Sequence, residues 1–239
     1  NVDTPHYEDI IKDLPCNVIT YGVQNTADYQ ATDITYDKYG HASFTVLRNG
    51  KKAGSFYLKV PGIHNVSNAL AAIVLAQLLQ IPDDTIVKGL GSFTGTDRRF
   101  QFKGEVGGIH IVDDYAHHPT AIKYVIEATR VRYPGKKIVA VFKPDRFSRG
   151  ARFAVEFARA MDLADYPYFC PFPENAVKEE GIDIDIYDIA KNLPRAKVIN
   201  EDQEAAKELA QYDDVVFLFM SSKDIYKLEE KVIAIKNSI

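Results

Sequence analysis

From Asp97 onward, short apolar runs alternate without a break with segments of helical period. The runs are "IHIV", "KKIVAVF", "DYPYFCPF", "AKVI" and "DVVFLFM", and between and after them lie "TAIKYVIEATRVRY", "RFAVEFARAMDLA", "IDIYDIAKNL", "DQEAAKELAQ" and "KDIYKLEEKVIAI". Strands that are apolar on both faces need a helical layer on each side. Alternation with helices favours parallel strands joined by right-handed crossovers. The expected fold is therefore α/β, a Rossmann-like, doubly wound and mostly parallel sheet. Such a sheet brings the carboxyl ends of its strands and the amino ends of its helices to one edge, where ligands bind.

Two polar stretches fall at that edge. In the first, Gly107-Gly108 makes a tight hairpin between "RFQFKGEV" and "IHIV", and the second strand runs into "DDYAHHPT", residues 113–120. Pro119 suits a first helical position, where its missing N–H costs nothing, so His117 and His118 stand just ahead of a helix. In the second, "KKIVAVF" leads into Lys143, Arg146 and Arg149 before the next helix, which makes either an anion cradle or a solvated basic loop. The edge rule turns Arg146, Arg149, Asp114 and His118 toward one crevice. Asp113, Asp114, His117 and His118 are not expected to bind a metal, because adjacent histidines seldom reach one ion and no further ligand cluster recurs. No nucleophile–histidine pattern stands out, and "GxGxxG" and "GxxxxGK[ST]" are both absent from the sequence.

Residues 1 to about 90 read differently. A helix and the strand "NVITYG" precede "YQATDITYD" and "ASFTVLRNGKKAGSFYLKV", whose Asn49-Gly50 marks an antiparallel hairpin. The apolar helix "HNVSNALAAIVLAQLLQI" and the short helix "PDDTIVKGLGSF" follow. Asn65 and Asn68 are three apart and share a helical face. They serve either capping and local hydrogen bonds or the edge of a base, and Asn68, inside an Ala- and Leu-rich helix, reads as a buried amide in need of partners. Arg98 and Arg99 are either a solvated pair or phosphate ligands. A chain of 239 residues accommodates two domains, and the pattern changes between about residue 90 and Asp97.

Net charge is only −4 with dispersed basic residues, which argues against nucleic acid and membrane surfaces as partners. Two cysteines without metal spacing, no apolar run of membrane length and no signal peptide point to a soluble cytosolic protein. The chain opens without methionine, which reflects either processing or a start inside a larger protein.

Taken in order, "GIHNVSNALAA", "RRFQ", "DDYAHHPT" and "FKPDRFSR" resemble the Mur ligases over essentially the whole chain, and within them the branch that adds L-alanine. The resemblance implies the second half of a three-domain enzyme. Residues 1–92 would be the end of the central ATPase domain and 93–239 the C-terminal ligase domain. The UDP-binding first domain and the "GKT" phosphate loop would lie outside, so the isolated chain is expected to be inactive.

The implied reaction is ATP-dependent amide formation between UDP-N-acetylmuramate and L-alanine through an acyl phosphate, with Mg2+ held mostly by residues outside this chain. By resemblance, Asn65 and Asn68 contact adenine, and Arg99 and Asp114 meet the nucleotide. Tyr115, His117, His118, Arg146 and Arg149 surround the muramoyl carboxylate and alanine, with His118, Arg146 and Arg149 as the catalytic residues. The chain departs from the family at Lys143 and Asp145, which replace the glutamine and histidine of "QPHR", and at "MSSKD", where a glycine turn is usual. The stretch holding Glu174 matches only approximately. A murein peptide ligase fragment and a non-catalytic nucleotide-binding module are the alternatives; the folylpolyglutamate synthase branch lacks both "HHPT" and "RFSR".

Overall fold

The computed structural model describes residues 1–173 and 181–238, so Glu174 lies outside the described residues. The chain divides into two compact units, Asn1–Gly95 and Thr96–Ile239. The sequence reading set this division at 92/93.

The first unit contains α1 (Tyr7–Ile11), β1 (Tyr21–Gly22), β2 (Tyr29–Tyr36), β3 (His41–Arg48), β4 (Lys51–Pro61), α2 (Ile63–Leu78) and α3 (Asp83–Ser92), with sheet order β1-β2-β3-β4. Asn49 and Gly50 both have positive φ, 49° and 75°, the conformation a two-residue hairpin turn needs between β3 and β4. Alternation along β3 and β4 sends Ala42, Phe44, Val46, Phe56, Leu58 and Val60 into one core with Val66, Leu70, Ile73 and Val74 of α2. The strand expected over "NVITYG" shrinks to Tyr21–Gly22. Among the described residues β1 pairs only with β2, parallel and from Tyr21↔Tyr29, so the residues before Tyr21 face the turn that precedes β2 rather than a strand. Val18 and Ile19 accordingly stay exposed.

The second unit contains β5 (Gln101–Val106), β6 (Ile109–Asp114), α4 (Pro119–Arg132), β7 (Lys137–Phe142), α5 (Phe147–Arg152), α6 (Ala154–Met161), β8 (Tyr166–Phe169), α7 (Ile186–Ala190), β9 (Lys197–Val198), α8 (Gln203–Leu209), β10 (Val215–Met220) and α9 (Tyr226–Lys236). Its sheet runs β5-β6-β10-β7-β8-β9, parallel except for the β5–β6 hairpin. Gly107 and Gly108 turn that hairpin at φ 52° and 77°.

The expected doubly wound layers are present, and the apolar runs explain them. Val112, Ile138, Ala140, Phe142, Val216, Leu218 and Met220 pack on α4, α6 and α7. Their neighbours Ile109, Ile111, Val139, Val141, Val215, Phe217 and Phe219 pack on α8 and α9. β10 is buried at every position, so it has no polar face to show. Among the described residues no helix is long and apolar enough to cross a membrane.

Candidate functional site

β10 lies between β6 and β7, and the register pairs Met220 with Asp114 on one side and with Phe142 on the other. The loops that leave β6, β10 and β7 therefore start level with one another at the carboxyl edge. Asp114–His118, Ser221–Asp224 and Lys143–Arg146 meet there, joined by Arg98–Phe100, which leads into β5.

Arg98 and Phe100 both adopt left-handed backbone, φ 57° and 48°. Two contacts hold them there: Tyr115 N donates to Arg98 O at 2.7 Å, and Phe100 N donates to Asp114 Oδ2 at 2.7 Å. The other oxygen of Asp114 accepts from Ala116 N at 2.7 Å. Burial pushes the Asp114 carboxyl up to about 6, against the two backbone hydrogen bonds and Arg99 and with help from Asp113. Asp113 is not a ligand-facing group. It is 1% exposed, and its Oδ2 accepts from Arg98 Nε at 3.0 Å.

Arg99 is exposed, and its guanidinium lies 5.2 Å from the centroid of the Tyr115 ring, which Arg98 also approaches at 5.4 Å. His117 Nδ1 lies 2.8 Å from Tyr115 O; a carbonyl only accepts, so Nδ1 is the donor, and in the neutral form of the ring Nε2 is left as an acceptor. His118 has the opposite tautomer. It caps α4 by accepting the Thr120 N–H on Nδ1 at 3.3 Å, which leaves its proton on Nε2. Burial, then the charges of Arg149 and His117, hold the His118 imidazole below its ordinary pKa. Pro119 occupies the first position of α4, as its missing N–H suggested.

The basic stretch after β7 differs from its expected form in two ways. First, Phe147–Arg152 is helix α5, with Arg146 as its cap residue, so Arg149 sits on a helix rather than a loop. Second, the three cations do not share a cradle. Lys143 is 4% exposed and turns inward, donating to Glu201 at 2.5 Å and to Asp224 at 2.8 Å. Burial alone would lower its pKa, but these hydrogen bonds outweigh the desolvation and raise it. Arg149 is ion-paired with Asp145 at 2.7 Å. Arg146 is exposed, and its guanidinium has no ion-pair partner among the described residues.

In the first unit Asn65 and Asn68 lie in the opening turns of α2. Asn65 Nδ2 donates to Pro61 O at 2.7 Å, the local bond that asparagine chemistry allows. Asn68 is exposed, which corrects the expectation of a buried amide; among the described residues its Nδ2 reaches only Asn65 Oδ1, at 3.4 Å. The face of α2 that meets the core is carried by Val66, Ala69, Leu70 and Ile73.

Sequence reading missed the parts played by Ser221 and Ser222. Ser221 O and Lys223 O accept from Arg98 Nη2 at 2.7 and 2.9 Å, and Ser222 Oγ donates to Asp145 at 2.9 Å. The signal was present: "SSKD" directly follows an apolar strand, as "DDYAHHPT" does. Among the described residues no group of three or more His, Cys, Asp or Glu side chains could hold a metal ion.

Residues 1–76 match the family described as the Mur ligase middle domain, and residues 98–222 match Mur ligase, glutamate ligase domain. A UDP-N-acetylmuramate–L-alanine ligase of Caldanaerobacter subterraneus is 38% identical over 228 residues, which cover 93% of this chain and 49% of that protein. The enzyme of that name from Agathobacter rectalis is 45% identical over 165 residues, 69% of this chain and 36% of that one. The crystal structure of a UDP-N-acetylmuramate–alanine ligase from Thermotoga maritima superposes with a TM-score of 0.73 at 30% identity, covering 92% of this chain and 48% of that one. The chain thus spans about half the length of these relatives, or less.

Proposed function

This chain belongs to the Mur ligase family, and from that premise we propose that it is the second half of a cytoplasmic, ATP-dependent ligase that joins L-alanine to UDP-N-acetylmuramate in peptidoglycan precursor synthesis. The observation that carries the reading is the carboxyl edge of β6, β10 and β7. There Asp114 at the end of β6, Tyr115, His117 and His118 in the loop after it, and Arg146 and Arg149 at the cap and on the body of α5 lie at one edge, within the part that matches the glutamate ligase domain.

The chemistry asks for charge neutralisation and alignment rather than a protein nucleophile. In the first step the muramoyl carboxylate attacks the γ-phosphorus of ATP, the new O–P bond forms and ADP leaves. In the second the amine of L-alanine attacks the acyl carbon, phosphate departs with the C–O electron pair, and the amine loses a proton. Arg146, exposed and without an ion-pair partner among the described residues, meets the carboxylate and the growing acyl phosphate. Arg149 contributes directed N–H bonds, and His118 offers the Nε2–H that its cap bond leaves free. His117, with Nδ1 engaged on Tyr115 O, is assigned to the acceptor side through Nε2.

Arg99 and Asp114 take the nucleotide. Arg99 is an exposed cation steadied on the Tyr115 ring. Asp114 has one backbone bond on each oxygen, leaving lone pairs for a ribose hydroxyl. Asn65 and Asn68 present amide groups to the adenine edge. Mg2+ of the full-length enzyme is assigned to ligands mostly outside this chain, since no group of three or more His, Cys, Asp or Glu side chains among the described residues could hold it, and no step here runs through it.

The test is phosphate release by the full-length protein. Wild type should require ATP, UDP-N-acetylmuramate and L-alanine together, and the 239-residue chain alone should release none. Activity with a murein peptide in place of L-alanine would assign the chain to the peptide ligases instead. Nucleotide binding without turnover on any of these acceptors would leave a binding module.

A further inference from the structure

Arg149 is held by one nitrogen. Its Nη1 donates to Asp145 Oδ1 at 2.7 Å, to Asp145 Oδ2 at 3.0 Å and to the carbonyl oxygen of His117 at 3.3 Å. Nη2 and Nε donate to nothing among the described residues, so the guanidinium keeps an unused edge. Asp145 is itself fixed, because Ser222 Oγ donates to its Oδ2 at 2.9 Å from the far end of the chain, 77 positions away.

An Asp–Arg pair at i,i+4 spacing on a helix surface contributes little and needs no third partner. This pair is different in three respects. Asp145 precedes α5 rather than lying on it. Its side chain is 10% exposed and that of Arg149 is 24% exposed. The loop after β10 and the backbone of the loop after β6 both take part. Four segments therefore agree on one orientation of one guanidinium.

We propose that Asp145 and Ser222 form a positioning pair for Arg149, locking its Nη1 so that the Nη2–Nε edge is aimed at the anionic group of the substrate. The inference rests on the reading of Arg149 as an anion-binding residue given above. Its consequence concerns charge as well as direction. Asp145 cancels the charge of Arg149 in the empty site, so long-range attraction of the anion falls to Arg146, while Arg149 acts through aligned hydrogen bonds that contribute once the anion has arrived. Asp145 and Ser222 never touch substrate.

Two measurements test this. In the full-length enzyme, Asp145→Ala should lower kcat by about 10-fold while the KM for UDP-N-acetylmuramate stays within about 3-fold, since orientation rather than attraction is lost. The double variant Asp145→Ala/Arg149→Ala should be no worse than Arg149→Ala alone, because Asp145 acts only through Arg149. Ser222→Ala should fall in the same direction by a smaller factor, and Ser222→Thr, which restores the hydroxyl, should recover it. Additive losses in the double variant would overturn the proposal.

The second measurement needs no turnover. In nitrogen-15 spectra of the 239-residue chain, rotation of the Arg149 guanidinium should be slow in the wild type and fast in Asp145→Ala, with the exposed Arg146 as the internal reference. Rotation of Arg149 as fast as that of Arg146 in the wild type would refute the lock. A wild-type enzyme that fails to ligate would sink the functional reading, while the spectra would still decide the lock.

Discussion

Arg98 donates from Nε to Asp113 Oδ2 at 3.0 Å, and its Nη2 holds Ser221 O and Lys223 O at 2.7 and 2.9 Å. One side chain thereby ties the entry of β5 to the ends of β6 and β10, and it explains why α9 begins at Tyr226 rather than at Lys223, where helical period alone would start it. Asp113 has no other partner: its Oδ1 is buried without a hydrogen bond among the described residues.

Arg98→Ala leaves an uncompensated carboxylate at a position 1% exposed. Removing one member of a buried pair costs on the order of 3 to 5 kcal/mol, and the partial exposure of Arg98 places the expected loss near the lower end, about 3 kcal/mol. Urea denaturation of the single variant and of Arg98→Ala/Asp113→Asn reads it. The double variant should regain about half of the loss. A single-variant loss below about 1 kcal/mol would show that the clamp contributes little.

Asp114 predicts a pH dependence. Burial raises its folded-state pKa to about 6, against 3.8 for the free side chain. Between those values the native state binds more protons than the unfolded state, so the contribution of this group to stability falls as pH rises from about 4 to about 6 and is fully unfavourable above that. About two pKa units correspond to about 3 kcal/mol. The stability difference between wild type and Asp114→Asn, followed from about pH 3 to about pH 8, isolates it from Asp165 and Asp224, whose pKa values are lowered. Relative to the variant, wild type should weaken across that window; a flat difference curve would mean an ordinary carboxylate.

Asn65 and Asn68 separate a structural role from a ligand role. Asn65→Ala removes the 2.7 Å bond to Pro61 O and should cost about 1 kcal/mol of stability. Asn68→Ala, at an exposed position, should stay within about 0.5 kcal/mol. In the full-length enzyme Asn68→Ala should nevertheless raise the KM for ATP by about 5-fold or more. An unchanged KM for ATP would return Asn68 to the solvated surface.

Arg146 carries the sharpest kinetic prediction. Its guanidinium has no ion-pair partner among the described residues, so Arg146→Lys should leave the melting temperature nearly unchanged. Lysine keeps the charge but loses the planar fork. kcat/KM for UDP-N-acetylmuramate or L-alanine should then fall roughly 10- to 150-fold while ATP binding barely moves. Equal losses in ATP affinity would place Arg146 on the nucleotide.

The sequence by itself determined what depends on neighbours a few residues away. Gly107-Gly108 and Asn49-Gly50 dictate their turns through positive φ, Pro119 starts α4 through its missing N–H, and apolar runs such as "DVVFLFM" require helices on both faces. Tertiary structure decided which loops meet, and with that which charges remain free. The insertion of β10 between β6 and β7 brings Ser222 to Asp145, which already pairs with Arg149 four residues on, while Lys143 turns the other way to Glu201 and Asp224. Three cations that look equivalent in "KPDRFSR" become a buried ion pair, an exposed charge and an oriented fork. Backbone preferences act over one turn of chain; the pairing of charges acts between segments that only the order of strands brings together.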